Sequence, residues 1–221
     1  VKENIAGYRG DSGRIAVTGD SAGGHLSAMI INLGSKIGSQ GFSQDSFRFL
    51  PSYLPEGESA EDVKARGGME VQAAILSYPY DFYEGVIKGF ENATNPLWLV
   101  NGAMGRGVFG DQFNVHDHSA MYRAVSPKDN IPSSSERSLP PQLLIVGSED
   151  RLVTPSSVKT YEAALRNAGH ETHYWEYLGQ SHAFLDSGSN ILTGSNFAEA
   201  APPALDVMID FVDRVFKEVG N

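Results

Sequence analysis

The stretch Gly19-Asp20-Ser21-Ala22-Gly23-Gly24 sets one serine among small residues, in the pattern G-x-S-x-G. The residues before it, Arg14 to Thr18, are mainly apolar and β-branched, which is typical of a strand buried on both faces. From Ala22 to Leu33, apolar side chains recur at helical spacing, and Gly34 then offers a C-cap. The pattern predicts a strand, a sharp turn at Ser21 and a helix.

A serine in such a turn projects from the chain, whereas a serine along a buried strand could not reach a substrate. Small neighbours are needed because a Cβ would collide with the adjacent strand or helix, and Gly19, Ala22 and Gly23 meet that need. The backbone N–H of Ala22 is expected at the helix N-terminus, where free donors and the helix dipole stabilise an oxyanion. We therefore predict Ser21 as a nucleophile and Ala22 as one oxyanion-hole donor.

The remainder of the chain alternates strand and helix patterns. Three more apolar, β-rich runs predict strands, and two amphipathic runs predict helices. The strands are expected at 71–77, 142–146 and 171–177 and the helices at 156–167 and 204–217, the last with an inward stripe of Leu205, Met208, Ile209, Val212 and Val215. This alternation predicts an α/β fold with a mostly parallel sheet covered by helices on both faces.

Two segments interrupt the alternation. Residues 38–70 are rich in Gly, Ser and Pro and are interpreted as a surface loop. Residues 79–135 hold many aromatic residues between Gly, Asn and Pro, so they are interpreted either as ordinary core or as a lid-like insertion over a substrate pocket. In the second case Tyr80, Trp98 and Phe109 are candidate substrate-binding residues. We expect the whole of 1–221 to be one domain.

An acid and a base are expected on loops that follow later strands, in the chain order serine, acid, histidine. Asp150 follows the third predicted strand and His182 follows the fourth. His182 would take the Ser21 proton and Asp150 would orient the imidazole. Glu149 is an alternative acid, whereas Asp186 follows the histidine and is worse placed by chain order.

The other histidines indicate no metal site. His116 and His118 form one pair and His170 and His173 another, but neither pair has a third ligand at a convincing spacing. We interpret all four as surface or structural, and His25 on the first helix as structural. No cofactor is predicted.

Composition narrows the function classes. The chain has 221 residues, a formal net charge of -10 and no run of Lys or Arg, which argues against nucleic acid as a partner. The absence of cysteine excludes disulfides and cysteine nucleophiles. No apolar run approaches the roughly 18 residues that span a bilayer. A soluble chain acting on a small molecule is expected, and its compartment stays open.

These motifs resemble those of the hormone-sensitive-lipase-like branch of the α/β-hydrolases, which includes bacterial carboxylesterases and acetyl esterases. The elbow at 19–24 and its lead-in at 11–18 are similar to that branch, and so are Ser126-Pro127, Leu139-Pro140-Pro141 and Gly147 to Asp150 before the acid. His182 is followed by Ala183, where a glycine usually follows in that branch. The resemblance covers nearly the whole chain and implies a triad of Ser21, Asp150 and His182.

The resemblance also implies that the chain is the C-terminal portion of a longer fold. Members of the branch carry a His-Gly-Gly-Gly-type loop well upstream of the serine, which completes the oxyanion hole, and eight strands rather than four. We therefore expect the missing N-terminal strands and oxyanion donors on upstream polypeptide, either an N-terminal fragment or a complementing chain.

The activity implied by the resemblance is hydrolysis of esters with small or medium acyl groups through an acyl-enzyme. An acyltransferase using the same triad stays open, because pocket shape decides between water and another acceptor. A non-catalytic binding module on the hydrolase fold is the alternative from another class, although all three triad residues are present here.

Overall fold

The protein, described from a computed structural model for residues 1–38, 53–91, 109, 113, 115–189 and 194–218, contains one four-stranded sheet. Neighbouring strands pair in chain order and all pairs are parallel. The strands are β1 (Ala16–Asp20), β2 (Ala73–Ser77), β3 (Gln142–Gly147) and β4 (Thr172–Tyr177). This confirms the predicted α/β fold with a parallel sheet.

Six α-helices are described around the sheet. They are α1 (Ala22–Leu33), α2 (Ala60–Ala65), α3 (Phe82–Glu91), α4 (Ser119–Ala124), α5 (Pro155–Asn167) and α6 (Phe197–Glu218), with short 3-10 helices at Ile5–Tyr8, Gly34–Lys36 and Pro127–Asn130. α1 packs on β1 and β2, α5 on β3 and β4, and α6 on β2. No helix in the described ranges has the length and apolarity needed to cross a membrane.

Burial is uneven across the sheet. Every residue of β2 and β3 is buried, as expected for strands with neighbours on both sides and helices packed against them. In β1 none is buried, and in β4 only Thr172 is. The core therefore lies around β2 and β3, between two half-exposed edges.

The stripe predicted for the last helix is wrong in part. α6 begins at Phe197 and runs through Pro202 and Pro203. Its fully buried side is formed by Ala200, Ala201, Ala204, Phe211 and Val215. Leu205 and Ile209, predicted to face inward, are 39% and 58% exposed. Two apolar stripes lie side by side on this helix, and the stripe that begins with small alanines comes closer to the sheet.

The two interrupting segments contain regular structure. Within 38–70, predicted as a loop, α2 begins with a capping box in which Ser59 and Asp62 bond each other's backbone N–H. Within 79–135, α3 and α4 lie beside a small apolar cluster of Val115 and Tyr122 with Tyr83, Ile87, Phe109 and Met121. This cluster is separate from the main core.

Candidate active site

Ser21 lies in a strained turn between β1 and α1. Its backbone has φ 51° and ψ -114°, and its N–H donates to the Ser77 carbonyl at 3.0 Å. A Cβ on Gly19 would lie 2.3 Å from the Gly23 carbonyl, and one on Gly24 would lie 2.9 Å from the Ser77 oxygen. The turn therefore needs glycine at both positions.

Gly23, predicted as one of the required small residues, has open space where its Cβ would be. That prediction is wrong: Gly24 meets the neighbouring strand instead. Ala22 is exposed and is the first residue of α1, so its N–H belongs to the first turn, where helix donors lack an intrahelical carbonyl. This is the location expected for an oxyanion donor.

The structure brings Ser21, His182 and Asp150 together in a chain of two hydrogen bonds. The Ser21 Oγ lies 3.0 Å from His182 Nε2, and His182 Nδ1 lies 2.7 Å from Asp150 Oδ2. The Asp150 side chain is fully buried and that of His182 is 12% exposed. Glu149 and Asp186, the other acids considered, are exposed.

Asp150 is held in a fixed orientation. Its second oxygen, Oδ1, accepts hydrogen bonds from the backbone N–H groups of Leu152 and Val153 at 2.9 and 2.8 Å. The carboxylate is thereby fixed on one side by backbone and faces the imidazole on the other. The network assigns the imidazole proton to Nδ1, which leaves Nε2 as an acceptor for the Ser21 hydroxyl.

The loops that carry the acid and the base are bonded to each other. The Glu149 N–H donates to the Gln180 carbonyl at 2.9 Å, and the Gly179 N–H donates to Ser148 Oγ at 2.8 Å. A Cβ on Gly147 would lie 2.2 Å from the Gln180 oxygen, so these backbones touch. The spacing between Asp150 and His182 is therefore set by loops that continue the β3–β4 pairing.

Ala183 follows the histidine with φ 66°, in the left-handed region that favours glycine. It is also 7% exposed, so its methyl group is buried. The backbone shape that a glycine would adopt after the histidine is thus present here with an alanine.

Tyr78 is part of the site and was not predicted. It has φ 38° and is fully buried, and its ring centroid lies 4.7 Å from that of His182. Burial raises the pKa of its phenol well above the usual range. The available signal was its place between a buried strand and Pro79, where a sharp turn follows.

Asp81 lies further along the same loop. Its Oδ1 accepts from the Glu84 N–H at 3.0 Å at the start of α3, and its Oδ2 accepts from the Lys128 N–H at 3.3 Å. Burial raises the pKa of this carboxyl. Asp81 therefore ties α3 to the segment that leads into β3.

The three candidate substrate-binding residues are placed differently. Tyr80 packs against Phe82, with ring centroids 5.2 Å apart, and burial raises the pKa of its phenol. Phe109 packs against Tyr122 at 5.3 Å in the small cluster. Trp98 lies outside the described residues, and the substrate roles stay predictions.

Three other histidines, His25, His170 and His173, bond nearby groups. His25 Nε2 lies 2.7 Å from the Val125 carbonyl, and burial lowers the pKa of this imidazole. His170 bonds the Pro132 carbonyl at 2.7 Å. His173 pairs with Glu171, and the His118 ring packs against Phe113. Within the described ranges, no three acidic or histidine side chains are grouped as metal ligands.

Comparison with known proteins finds an α/β-hydrolase family and esterases. Residues 1–186 match a protein family described as having the α/β-hydrolase fold. The chain is 28% identical over 192 residues to Esterase LipQ of Mycobacterium tuberculosis, which is 86% of this chain and 37% of that protein.

Solved structures of bacterial esterases share the fold. Apo esterase 2 of Thermogutta terrifontis aligns with a TM-score of 0.57 and 20% identity, over 97% of this chain and 60% of that one. Its propionate-bound form gives 0.56 and 20%, over 100% and 61%. A truncated carbohydrate esterase from gut microbiota gives 0.57 and 21%, over 82% and 57%. The chain thus spans just over a third of the mycobacterial esterase and about 60% of the solved esterases.

Proposed function

Because this chain belongs to the α/β-hydrolase fold family, we propose that it is a serine carboxylesterase with Ser21, His182 and Asp150 as its triad. The observation that carries the proposal is the pair of hydrogen bonds, 3.0 and 2.7 Å long, that joins the three side chains. The esterase names of the relatives support the reaction class.

In the proposed mechanism His182 Nε2 accepts the Ser21 proton as Oγ bonds to the ester carbonyl carbon. The tetrahedral intermediate then collapses, the bond to the alkoxy oxygen breaks, and His182 returns the proton to the leaving alkoxide. His182 then accepts a proton from water as the water oxygen bonds to the acyl carbon, and it returns that proton to Ser21 Oγ as the acyl–Oγ bond breaks and the carboxylic acid leaves. Asp150 keeps its hydrogen bond to His182 Nδ1 throughout and stabilises the imidazolium that forms twice.

The oxyanion would be stabilised by the Ala22 N–H and by further donors. In this proposal the further donors come from polypeptide upstream of Val1, as the family resemblance implies. Each missing donor of this kind costs on the order of 10² to 10³ in rate, so residues 1–221 by themselves are expected to be slow. β1 is an edge strand of the described sheet and none of its residues is buried, which supports a neighbour along its unpaired edge.

Small or medium acyl groups are the proposed substrates. The similar Thermogutta esterase 2 has been solved with propionate and with butyrate, both short carboxylates. The lid-like role of 79–135, with Tyr80, Trp98 and Phe109 against the acyl or alcohol group, belongs to the same proposal. The apolar cluster around Tyr122 is separate from the main core, which supports the proposal that 79–135 packs as an insertion of its own.

The test is labelling with a fluorophosphonate combined with hydrolysis of p-nitrophenyl esters of increasing acyl length. We expect label on Ser21, none on Ser21→Ala, and full label on Ser12→Ala, an exposed serine elsewhere. Inert Ser21 in the folded protein, with upstream polypeptide supplied, would contradict the proposal and favour a binding module. Faster product formation with an added alcohol, with the acyl group recovered on that alcohol, would indicate an acyltransferase instead.

A further inference from the structure

Backbone strain is concentrated at the site. Among the described non-glycine residues, only Arg9, Ser21, Tyr78 and Ala183 have positive φ. Three of these four are Ser21 itself, Ala183 next to His182 in the chain, and Tyr78, whose ring packs against His182. Residues in such conformations persist only where their surroundings enforce them, and they cluster at functional sites. Ser21 and Ala183 belong to the nucleophile and base loops, whereas Tyr78 follows β2, the strand that supplies no triad residue.

The turn at Tyr78 is anchored on both sides. The carbonyl of the preceding Ser77 accepts the Ser21 N–H at 3.0 Å, and the Tyr78 N–H donates to the Ile145 carbonyl of β3 at 2.6 Å. Pro79 follows directly and restricts the turn further. The Tyr78 backbone is thus fixed relative to the nucleophile turn and to the strand before the acid.

The Tyr78 ring packs against the base. Its centroid lies 4.7 Å from that of His182, with the rings tilted by 58°. It also contacts Phe184 at 5.1 Å, and Phe184 contacts Tyr177 at 5.4 Å. Tyr78 is fully buried, so its ring is closely packed among these aromatic side chains.

The Tyr78 ring contacts the imidazole in addition to its two hydrogen-bond partners. Its two nitrogens are bonded in the ring plane, to Asp150 and to Ser21. The torsion that swings a histidine ring about its Cβ–Cγ bond is soft, with broad minima. Packing against the ring face therefore adds to the restraint that the two hydrogen bonds place on this rotation.

We propose that Tyr78 is a positioning residue that holds the His182 imidazole in line with Ser21 while its backbone turn fixes the nucleophile, an inference that rests on the proposed esterase function. Proton transfer is not its role, because burial raises the phenol pKa well above the usual range. We assign the effect to the ring because the ring packs against His182, whereas the hydroxyl lies near the Leu185 backbone and bonds no triad residue.

The test compares Tyr78→Leu, Tyr78→Met and Tyr78→Phe with Phe211→Leu as a matched control. Phe211 is equally buried, but it lies on α6 and its ring packs against His173. For the leucine and methionine variants, kcat and the rate constant of Ser21 phosphonylation should fall by about 10- to 100-fold with little change in KM. Tyr78→Phe keeps the aromatic ring, so its kcat should stay within about threefold of that of the unsubstituted protein.

Folding is followed by circular dichroism so that each rate refers to folded protein. Folded leucine or methionine variants that keep the full rate would overturn the inference, and so would an equal loss in Phe211→Leu. If neither folds, NMR of the unsubstituted protein decides: cross-relaxation between Tyr78 and His182 ring protons is expected, and its absence overturns the inference. A parent protein with inert Ser21 contradicts the esterase proposal itself, which separates the two failures.

Discussion

Gly23 and Gly24 are adjacent glycines with different surroundings. A methyl group on Gly24 would approach the Ser77 carbonyl oxygen and the Pro79 Cα, at 2.9 and 3.1 Å, whereas one on Gly23 meets nothing within 4 Å. Because Ser77 also accepts the Ser21 N–H, any shift at Gly24 is passed to the nucleophile. The motif letters G-x-S-x-G therefore do not identify which glycine the turn requires.

Substitution of these two glycines gives opposite expectations. Gly24→Ala should lower the free energy of unfolding by about 1–3 kcal/mol, because overpacking forces backbone shifts. Gly23→Ala should raise it by up to about 1 kcal/mol, because alanine favours a helix. Urea denaturation of both variants measures the free energy of unfolding, and fluorophosphonate labelling measures the reactivity of Ser21. An equally large loss in both would show that the crowding at Gly24 is not the cause.

Asp150 and Glu149 form a second matched pair. Asp150→Asn should lower kcat by on the order of 10⁴-fold, because an amide cannot hold the imidazole in the productive tautomer. Glu149→Gln should change kcat little, because that side chain is exposed. Ester hydrolysis at neutral pH measures both. Equal activity of Asp150→Asn and the parent would exclude Asp150 as the acid.

Residue positions at the site were predictable to different degrees. Ser21, Asp150 and His182 each follow a β-rich run directly, so chain order alone brought them to one edge of the sheet. Tyr78 follows such a run too, but a tyrosine before a proline has no chemistry that marks it. Its role arises from packing between residues far apart in the chain, which periodicity does not encode.

At the level of elements, strands and helices were predicted where patterns were strong. The limits of α1 matched fully, and the strands differed by two residues or fewer at either end. The sequence predicts the last helix from residue 204, whereas α6 begins at Phe197 and runs through Pro202 and Pro203, a residue type that usually interrupts a helix. Its buried side was mispredicted because helical spacing identifies a stripe but not the partner that the stripe meets.

Substitutions on α6 distinguish the two stripes. Phe211→Ala should lower the free energy of unfolding by about 3–5 kcal/mol, because Phe211 is only 1% exposed and removal of its ring leaves a cavity in the core. Ile209→Ala should change it by no more than about 0.5 kcal/mol, because Ile209 is 58% exposed. Thermal and urea melts measure both. A larger loss of unfolding free energy in Ile209→Ala than in Phe211→Ala would favour the buried stripe predicted from the sequence.

For the molecule as a whole, stability is expected to depend on pH through His25. Burial lowers its pKa in the folded state below the ordinary value of 6.5. The unfolded chain therefore binds more protons below that value, and stability is lost as the pH falls from about 7 toward the folded-state pKa. Asp81, whose pKa burial raises, acts in the opposite sense at lower pH.

The contribution of His25 is isolated by comparison with His25→Gln. Glutamine can still donate a hydrogen bond to the Val125 carbonyl but does not titrate. We expect the parent to lose more unfolding free energy than the variant between about pH 7.5 and 5, since only the parent has the His25 imidazole to protonate on unfolding. Urea melts at several pH values measure this. Parallel curves for the two proteins would contradict it.

The contact between Ser21 and His182 joins residues 161 positions apart. Contacts of such long range form slowly, because the entropy of closing the intervening chain is lost before the contact compensates for it. Helices such as α1 need only local bonds and form early. During refolding, Ser21 should therefore gain reactivity only as the last strand joins the sheet. A reactive serine thus reports a finished fold, and a collapsed intermediate that already has its helices should remain inert.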